Sequence, residues 1–193
     1  NVKLAFGWVS TTRDLLNPRV REWTPARSIE DMDRAGVAAG VASITNPGLW
    51  LGEEESSPSL AREWHDYEVS MLGDHPGRFG LFAAMPMPAI DATLREIEYA
   101  FDTLQADGIG LFTSYGEQWL GNAAFAPVFE ELNRRKALVY VHPTTPACCM
   151  GVVPALPASA IEFATDTTRA IGNLVIGGMA AKFPDIRWLF SHS

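Results

Sequence analysis

Hydrophobic positions along the chain follow two rhythms. Short runs of unbroken apolar residues recur, and stretches with helical spacing separate them. The runs are Val37 to Ile44 (VAAGVASI), Arg78 to Pro86 (RFGLFAAMP), Gly108 to Tyr115 (GIGLFTSY), Ala137 to His142 (ALVYVH) and Ile186 to His192 (IRWLFSH). None alternates apolar with polar, so each reads as a strand covered on both faces, as in a parallel sheet. The extended-looking start, Val2 to Val9, is a sixth strand candidate.

The intervening segments carry helical stripes. Ser28-Ile29-Glu30-Asp31 has the form of a capping box, with Met32 inward and Gly36 at the helix end. Leu60, Trp64, Tyr67 and Met71 form a second stripe. Leu94, Ile97, Phe101 and Leu104 form a third, with Asp91 as its N-cap. Phe125, Val128, Phe129 and Leu132 make the next, with Arg134 and Arg135 at the negative end of the dipole. Ile171, Leu174, Val175 and Met179 make the last.

Strand–helix alternation predicts parallel strands joined by right-handed crossovers. No G-x-G-x-x-G or Walker A run follows an early strand, which argues against a doubly wound nucleotide fold. Polar residues of chemical interest stand at the C-terminal ends of strands, as in a (β/α)₈ TIM barrel. The expectation is one α/β domain over 1–193 that covers about strands two to six of such a barrel.

Composition narrows the function classes. The chain has 193 residues, 47% hydrophobic, with a net charge of −8 and a pI of about 4.9. That balance repels phosphate backbones and disfavours nucleic-acid partners. No apolar run approaches a membrane span. The first residues lack the pattern of a signal peptide and an initiator Met, which fits a partial chain. Cys148 and Cys149 are adjacent and cannot staple distant segments, and a cytoplasmic setting is expected. They read as loop cysteines without an electropositive activator.

Two histidines end strands. His142 follows Val139-Tyr140-Val141 and precedes Pro143, which cannot continue a central strand. His192 repeats the arrangement on the next strand. Two imidazoles on successive strands would share one rim, where a metal ligand and a proton-moving group can work together. Each alone reads equally as a histidine capping a strand by a loop hydrogen bond. His65, in a helix, and His75, in a turn, read as surface residues.

The segments RSIEDMDRAGVAAGVASITNPG, HPGRFGLFAAMPM, FAPVFEELNRRKALVYVHPTTP and TTRAIGNLVIGGMAAKFPDIRWLFSHS resemble the amidohydrolase-related (amidohydrolase 2) family. Its members include decarboxylases of aminocarboxymuconate semialdehyde, γ-resorcylate and 6-methylsalicylate. The resemblance implies a (β/α)₈ barrel with one divalent metal, zinc or manganese. It implies that His142 is a metal ligand and that His192 is the catalytic histidine, with Ser193 following in an H-x-G-G type context. The family's first-strand H-x-H or E-x-H pair has no counterpart before Ser28, and its eighth-strand Asp would fall after Ser193. Both departures fit a chain incomplete at each end, or a relative that lost the metal site.

Loops after strands supply further candidates. Trp50, Tyr115 and Trp119 are expected to stack on a planar acid or to pack on the barrel rim. Arg13, Arg19 and Arg21 lie where the family often supplies a carboxylate-binding arginine, and Arg169 reads as a surface or interface charge. The segment from Thr144 to Ala160 reads as a lid or subunit contact. The leading expectation is a metal-dependent decarboxylase of a small aromatic or unsaturated carboxylic acid, working as a homo-oligomer. Its rivals are a hydrolase or hydratase on the same barrel, and a non-catalytic ligand-binding relative.

Overall fold

A computed structural model describes residues 23–45, 48–50 and 57–192, without the side chains of Ser57 and Ala158. The strand candidate at Val2 to Val9, the arginines at 13, 19 and 21, and residues 46 and 47 lie outside these. The chain divides into two units, Asn1–Ala42 with Arg62–Gly80, and Ser43–Ala61 with Leu81–Ser193.

In the first unit, helix α1 (Pro25–Ala35) begins upstream of the expected capping box. Thr24 is the N-cap, its hydroxyl accepting from the Arg27 N–H at 3.2 Å, and Pro25 occupies the first turn, where no N–H is needed. Ser28 instead accepts from Trp23 Nε1 at 2.6 Å. Gly36 closes the helix at φ 70°, a conformation that favours glycine. Strand β1 is only Gly40–Ala42, shorter than the apolar run. Its Gly40 N–H donates to the Arg78 carbonyl at 3.0 Å, and the Arg78 guanidinium reaches back to Asp33 at 2.7 Å.

Helix α2 (Ser57–Asp74) forms as expected, but its buried face is rotated from the predicted stripe. Ala61, His65, Glu68 and Met71 are innermost, while Trp64 and Tyr67 flank them half-buried. His65 is therefore a core residue, not the surface residue its polar surroundings suggested. Burial pushes the Glu68 carboxyl well above the usual carboxylate range.

The second unit holds most of the sheet. Strands β2 (Phe79–Ala84, its first two residues counted with the first unit) and β3 (Gly108–Phe112) flank helix α3 (Ile90–Asp102). A hairpin of β4 (Ser114–Tyr115) and β5 (Gln118–Trp119) follows, then α4 (Ala126–Arg134), β6 (Leu138–His142), α5 (Glu162–Ile176), α6 (Met179–Lys182) and β7 (Arg187–Phe190). Strands β2, β3, β6 and β7 pair in that order, all parallel, with Phe112 opposite His142 and Val141 opposite Phe190. Helix α3 starts at Ile90 without a side-chain cap, and Asp91 sits in its first turn.

The apolar run Gly108 to Tyr115 is not one strand. It breaks at Thr113, whose N–H donates to the His142 carbonyl at 3.1 Å. The chain then enters the antiparallel hairpin, which turns at Gly116, φ 63°. Periodicity alone cannot reveal this break, because the residues on both sides are buried.

One sheet face carries Leu81, Ala83, Ile109, Leu111, Val139 and Val141, each at most 1% exposed. Phe129 of α4 meets Trp188 on this face edge-on, with centroids 5.5 Å apart. On the opposite face the rings of Phe82 and Tyr140 stack at 5.1 Å across β3, where Gly108 and Gly110 carry no side chain. A Cβ on Gly108 would lie 2.6 Å from the Leu138 carbonyl oxygen and 3.0 Å from the Phe82 ring.

Gly108→Ala is expected to destabilise the protein by about 1–3 kcal/mol, since backbone and a stacked ring must both move. Urea unfolding of the two proteins checks this, and a midpoint that does not shift contradicts it. Glu131 supplies a second prediction. Its carboxylate accepts from Arg134 Nη2 at 2.7 Å and Arg135 Nε at 2.6 Å, and Arg135 bridges to Asp102 of α3 at 2.7 Å. The Arg134 bond, aided by Arg135 and opposed by burial, holds the Glu131 carboxyl down to about 2. A depressed carboxyl stabilises the fold above its unfolded value and loses that contribution as pH falls towards the folded value. Glu131→Gln should cost roughly 0.5–1 kcal/mol at pH 7, and the difference should vanish towards pH 2. Thermal melts of both proteins across this range test it.

Candidate active site at the strand ends

His142 closes β6 and is 7% exposed. Its Nδ1 lies 2.8 Å from the Pro143 carbonyl oxygen. A carbonyl only accepts, so Nδ1 carries the proton and Nε2 keeps a free lone pair. Burial pushes this imidazole below its ordinary pKa. The Pro143 bond opposes that shift and the neighbouring His192 adds to it. The ring is thus held neutral, in the tautomer that offers Nε2 to an electrophile.

Aromatic rings wall the histidine. Phe112 stands edge-on at 6.0 Å and Phe163 of α5 at 5.6 Å. Gly48, at φ 74°, passes against Phe112 so closely that a Cβ there would lie 2.3 Å from the ring. Only glycine suits both the conformation and the approach.

His192 lies just beyond β7. Ser191 anchors the end of that strand, its N–H and its hydroxyl both donating to the Val141 carbonyl at 3.1 Å. The backbone then turns through φ 57° at His192. The exposed His192 ring comes to 5.3 Å from His142 and 5.3 Å from Phe163. The two histidines therefore meet at one end of adjacent strands.

Residues 18–193 match the family model described as amidohydrolase. The chain belongs to the amidohydrolase family. It is 39% identical over 182 residues to decarboxylase yanB of Aspergillus niger, covering 89% of this chain and 50% of that protein. It is 33% identical over 175 residues to 6-methylsalicylic acid decarboxylase of Penicillium expansum, covering 89% and 54%. It spans about half the length of these curated relatives. A crystal structure of 5-carboxyvanillate decarboxylase from Novosphingobium aromaticivorans, complexed with manganese and 4-hydroxy-3-methoxy-5-nitrobenzoic acid, superposes with a TM-score of 0.79. That match has 23% identity and covers 85% of this chain and 48% of the other, and it shows a shared fold. The parallel strand–helix segment is thus part of an amidohydrolase TIM barrel.

The fit of a metal in this amidohydrolase segment rests on His142. Its bare Nε2 suits one ligand position. Among the described residues, no three His, Cys, Asp or Glu side chains come together to complete a set.

The other candidates divide. Trp50 is half-buried and packs on the hairpin, 3.1 Å from where a Cβ on Gly116 would stand. Tyr115 is 4% exposed, and its hydroxyl accepts from the Phe112 N–H at 3.0 Å. Burial pushes its phenol pKa up. Those contacts place the Tyr115 ring in the core. Trp119 is half-buried and donates through Nε1 to Asp166 at 2.8 Å. Arg169 pairs with Glu162 at 3.3 Å. Cys148 is exposed, and its hydrogen bond with Cys149 raises the Cys149 thiol pKa.

Phe163, Asp166 and Thr167 are the site residues that sequence reasoning passed over. Extending the inward positions of α5 back from Leu174 and Ala170 lands on Asp166, Thr167 and then Phe163, at helical spacings. Two polar residues on the buried side of an amphipathic helix were the available signal.

The tautomer is directly checkable. Long-range proton–nitrogen correlation spectra of the full-length, metal-free protein at pH 7.5 should show His142 with a protonated Nδ1 and a bare Nε2. A protonated Nε2 would contradict the geometry.

Proposed function

We propose that the full-length protein is a metal-dependent decarboxylase of a small aromatic carboxylic acid. The observation that carries the reading is the pair of imidazoles, 5.3 Å apart, at the ends of adjacent parallel strands. The names of the relatives point to the same reaction class.

His142 would supply Nε2 to one divalent cation, zinc or manganese. When bound, such a cation holds a carboxylate and an adjacent oxygen and withdraws electron density. The chain's own residues account for the rest. The Pro143 carbonyl fixes the His142 tautomer, and the rings of Phe112 and Phe163 pack edge-on against its flanks. Exposed His192, its ring 5.3 Å from that of His142, would deliver a proton to the ring carbon that bears the carboxylate. Cleavage of the carbon–carbon bond then returns its electron pair to the ring, carbon dioxide departs, and aromaticity is restored.

The partner in this reading is a small carboxylic acid, with Trp50 and Trp119 as half-buried aromatic neighbours of the strand ends. No helix among the described residues is long and apolar enough to cross a membrane, and a cytoplasmic location is part of the proposal. So is a homo-oligomeric working form, for which exposed Met150, Val152, Val153 and Leu156 offer apolar surface.

The test is carbon dioxide release by full-length protein with manganese or zinc on a panel of salicylate-type acids, run beside a hydrolysis assay. Carbon dioxide release is expected, and His192→Ala should lower kcat by about 10²–10⁴. Hydrolysis without decarboxylation would move the reading to a hydrolase. Neither activity, with ligand binding retained, would leave a binding protein.

A further inference from the structure

We propose that Asp166 and Thr167, adjacent on α5, are positioning residues that separately set the two histidines. The inference rests on the reading of His142 as a metal ligand and His192 as the proton-moving group.

Asp166 is fully buried and collects hydrogen bonds from three places in the second unit. The Thr113 hydroxyl donates to its Oδ2, the Thr144 hydroxyl donates to the same oxygen at 3.3 Å, and Trp119 Nε1 donates to Oδ1 at 2.8 Å. Arg169 lies 3.6 Å from Oδ1. Thr113 and Thr144 meet the chain where it leaves His142. The Thr113 N–H holds the His142 carbonyl, and the Thr144 N–H donates to the Thr113 hydroxyl oxygen at 3.0 Å. A buried carboxylate thus holds, through Thr113 and Thr144, the backbone just after the ring that must present Nε2.

Thr167 is 1% exposed, and its hydroxyl donates at 3.0 Å to the Ser191 carbonyl, the peptide leading into His192. That bond falls on the peptide of His192, with no direct bond to His142. Phe163, one turn earlier on the same helix, touches both rings. One helix face therefore sets the spacing of the pair, with a separate handle for each member.

Separate handles predict separate defects. In the full-length protein, Asp166→Ala should raise the Kd for Mn²⁺, read by titration calorimetry, by about 10–100-fold. Thr167→Val should leave that Kd within about twofold and lower kcat by about tenfold with little change in KM. Thr167→Ser, which keeps the hydroxyl, should restore kcat to near wild type. If Asp166→Ala does not fold, Asp166→Asn carries the same test, with an expected rise in Kd of about 3–10-fold. A merely structural role would move melting temperature, Kd and kcat together, without the split. The proposal is overturned if the Asp166 variants bind Mn²⁺ as wild type does. It is also overturned if Thr167→Val loses metal affinity, or if Thr167→Ser fails to rescue. His142→Ala separates the two layers. If that variant keeps wild-type affinity, or if wild type binds no Mn²⁺, the underlying reading falls and this one with it. If His142→Ala loses the metal and Asp166→Ala does not, the positioning role alone falls.

Discussion

The carbonyl of Val141 accepts two hydrogen bonds from Ser191, one from the N–H and one from the hydroxyl, each at 3.1 Å. This doubled contact locks β7 against β6 with Val141 opposite Phe190. Slipping the pairing by one residue would send each side chain to the other face of the sheet. His192 would then leave the space in front of His142, and Trp188 would leave the Phe129 ring that packs against it. The site and the core thus share one constraint, the register of two neighbouring strands. Helix α5 holds that register from outside the ladder, through Thr167 on the Ser191 carbonyl and Asp166 on Thr113 and Thr144 at the exit of His142.

Much of this was legible in the residues. Continuous apolar runs marked the strands, because both faces of a parallel sheet are covered. Pro143 marked the end of β6, since a residue without an N–H cannot extend a central ladder. The recurrence of a histidine at two successive strand ends was enough to place both on one rim, and the rings do meet. Gly36 marked the end of α1 correctly, because a left-handed cap favours glycine.

The misreadings share a cause. Local pattern says which residues are apolar and not which ones tertiary packing covers. Helix α2 turns Ala61, His65, Glu68 and Met71 inward, although Trp64 and Tyr67 are the larger apolar groups. The run Gly108 to Tyr115 hides a break at Thr113, because Thr113 is buried and bonded to Asp166 far along the chain. For Tyr115 the sequence left stacking on a ligand and packing on the rim both open, and in the fold its hydroxyl accepts from a backbone N–H. Asp166 showed in the sequence only as a polar residue on the inward side of its helix, without its partners. Its partners come from the loops after β3 and β6, and only the fold brings them together.

The central claim is that His142 presents Nε2, and His192 its ring, to one small space. Anomalous diffraction from crystals of the full-length protein grown with manganese tests this most directly. The account predicts a manganese peak about 2.0–2.3 Å from His142 Nε2, with the His192 ring beside it and not bound. A peak at Nδ1, a peak remote from both histidines, or packed hydrocarbon between the two rings would contradict it.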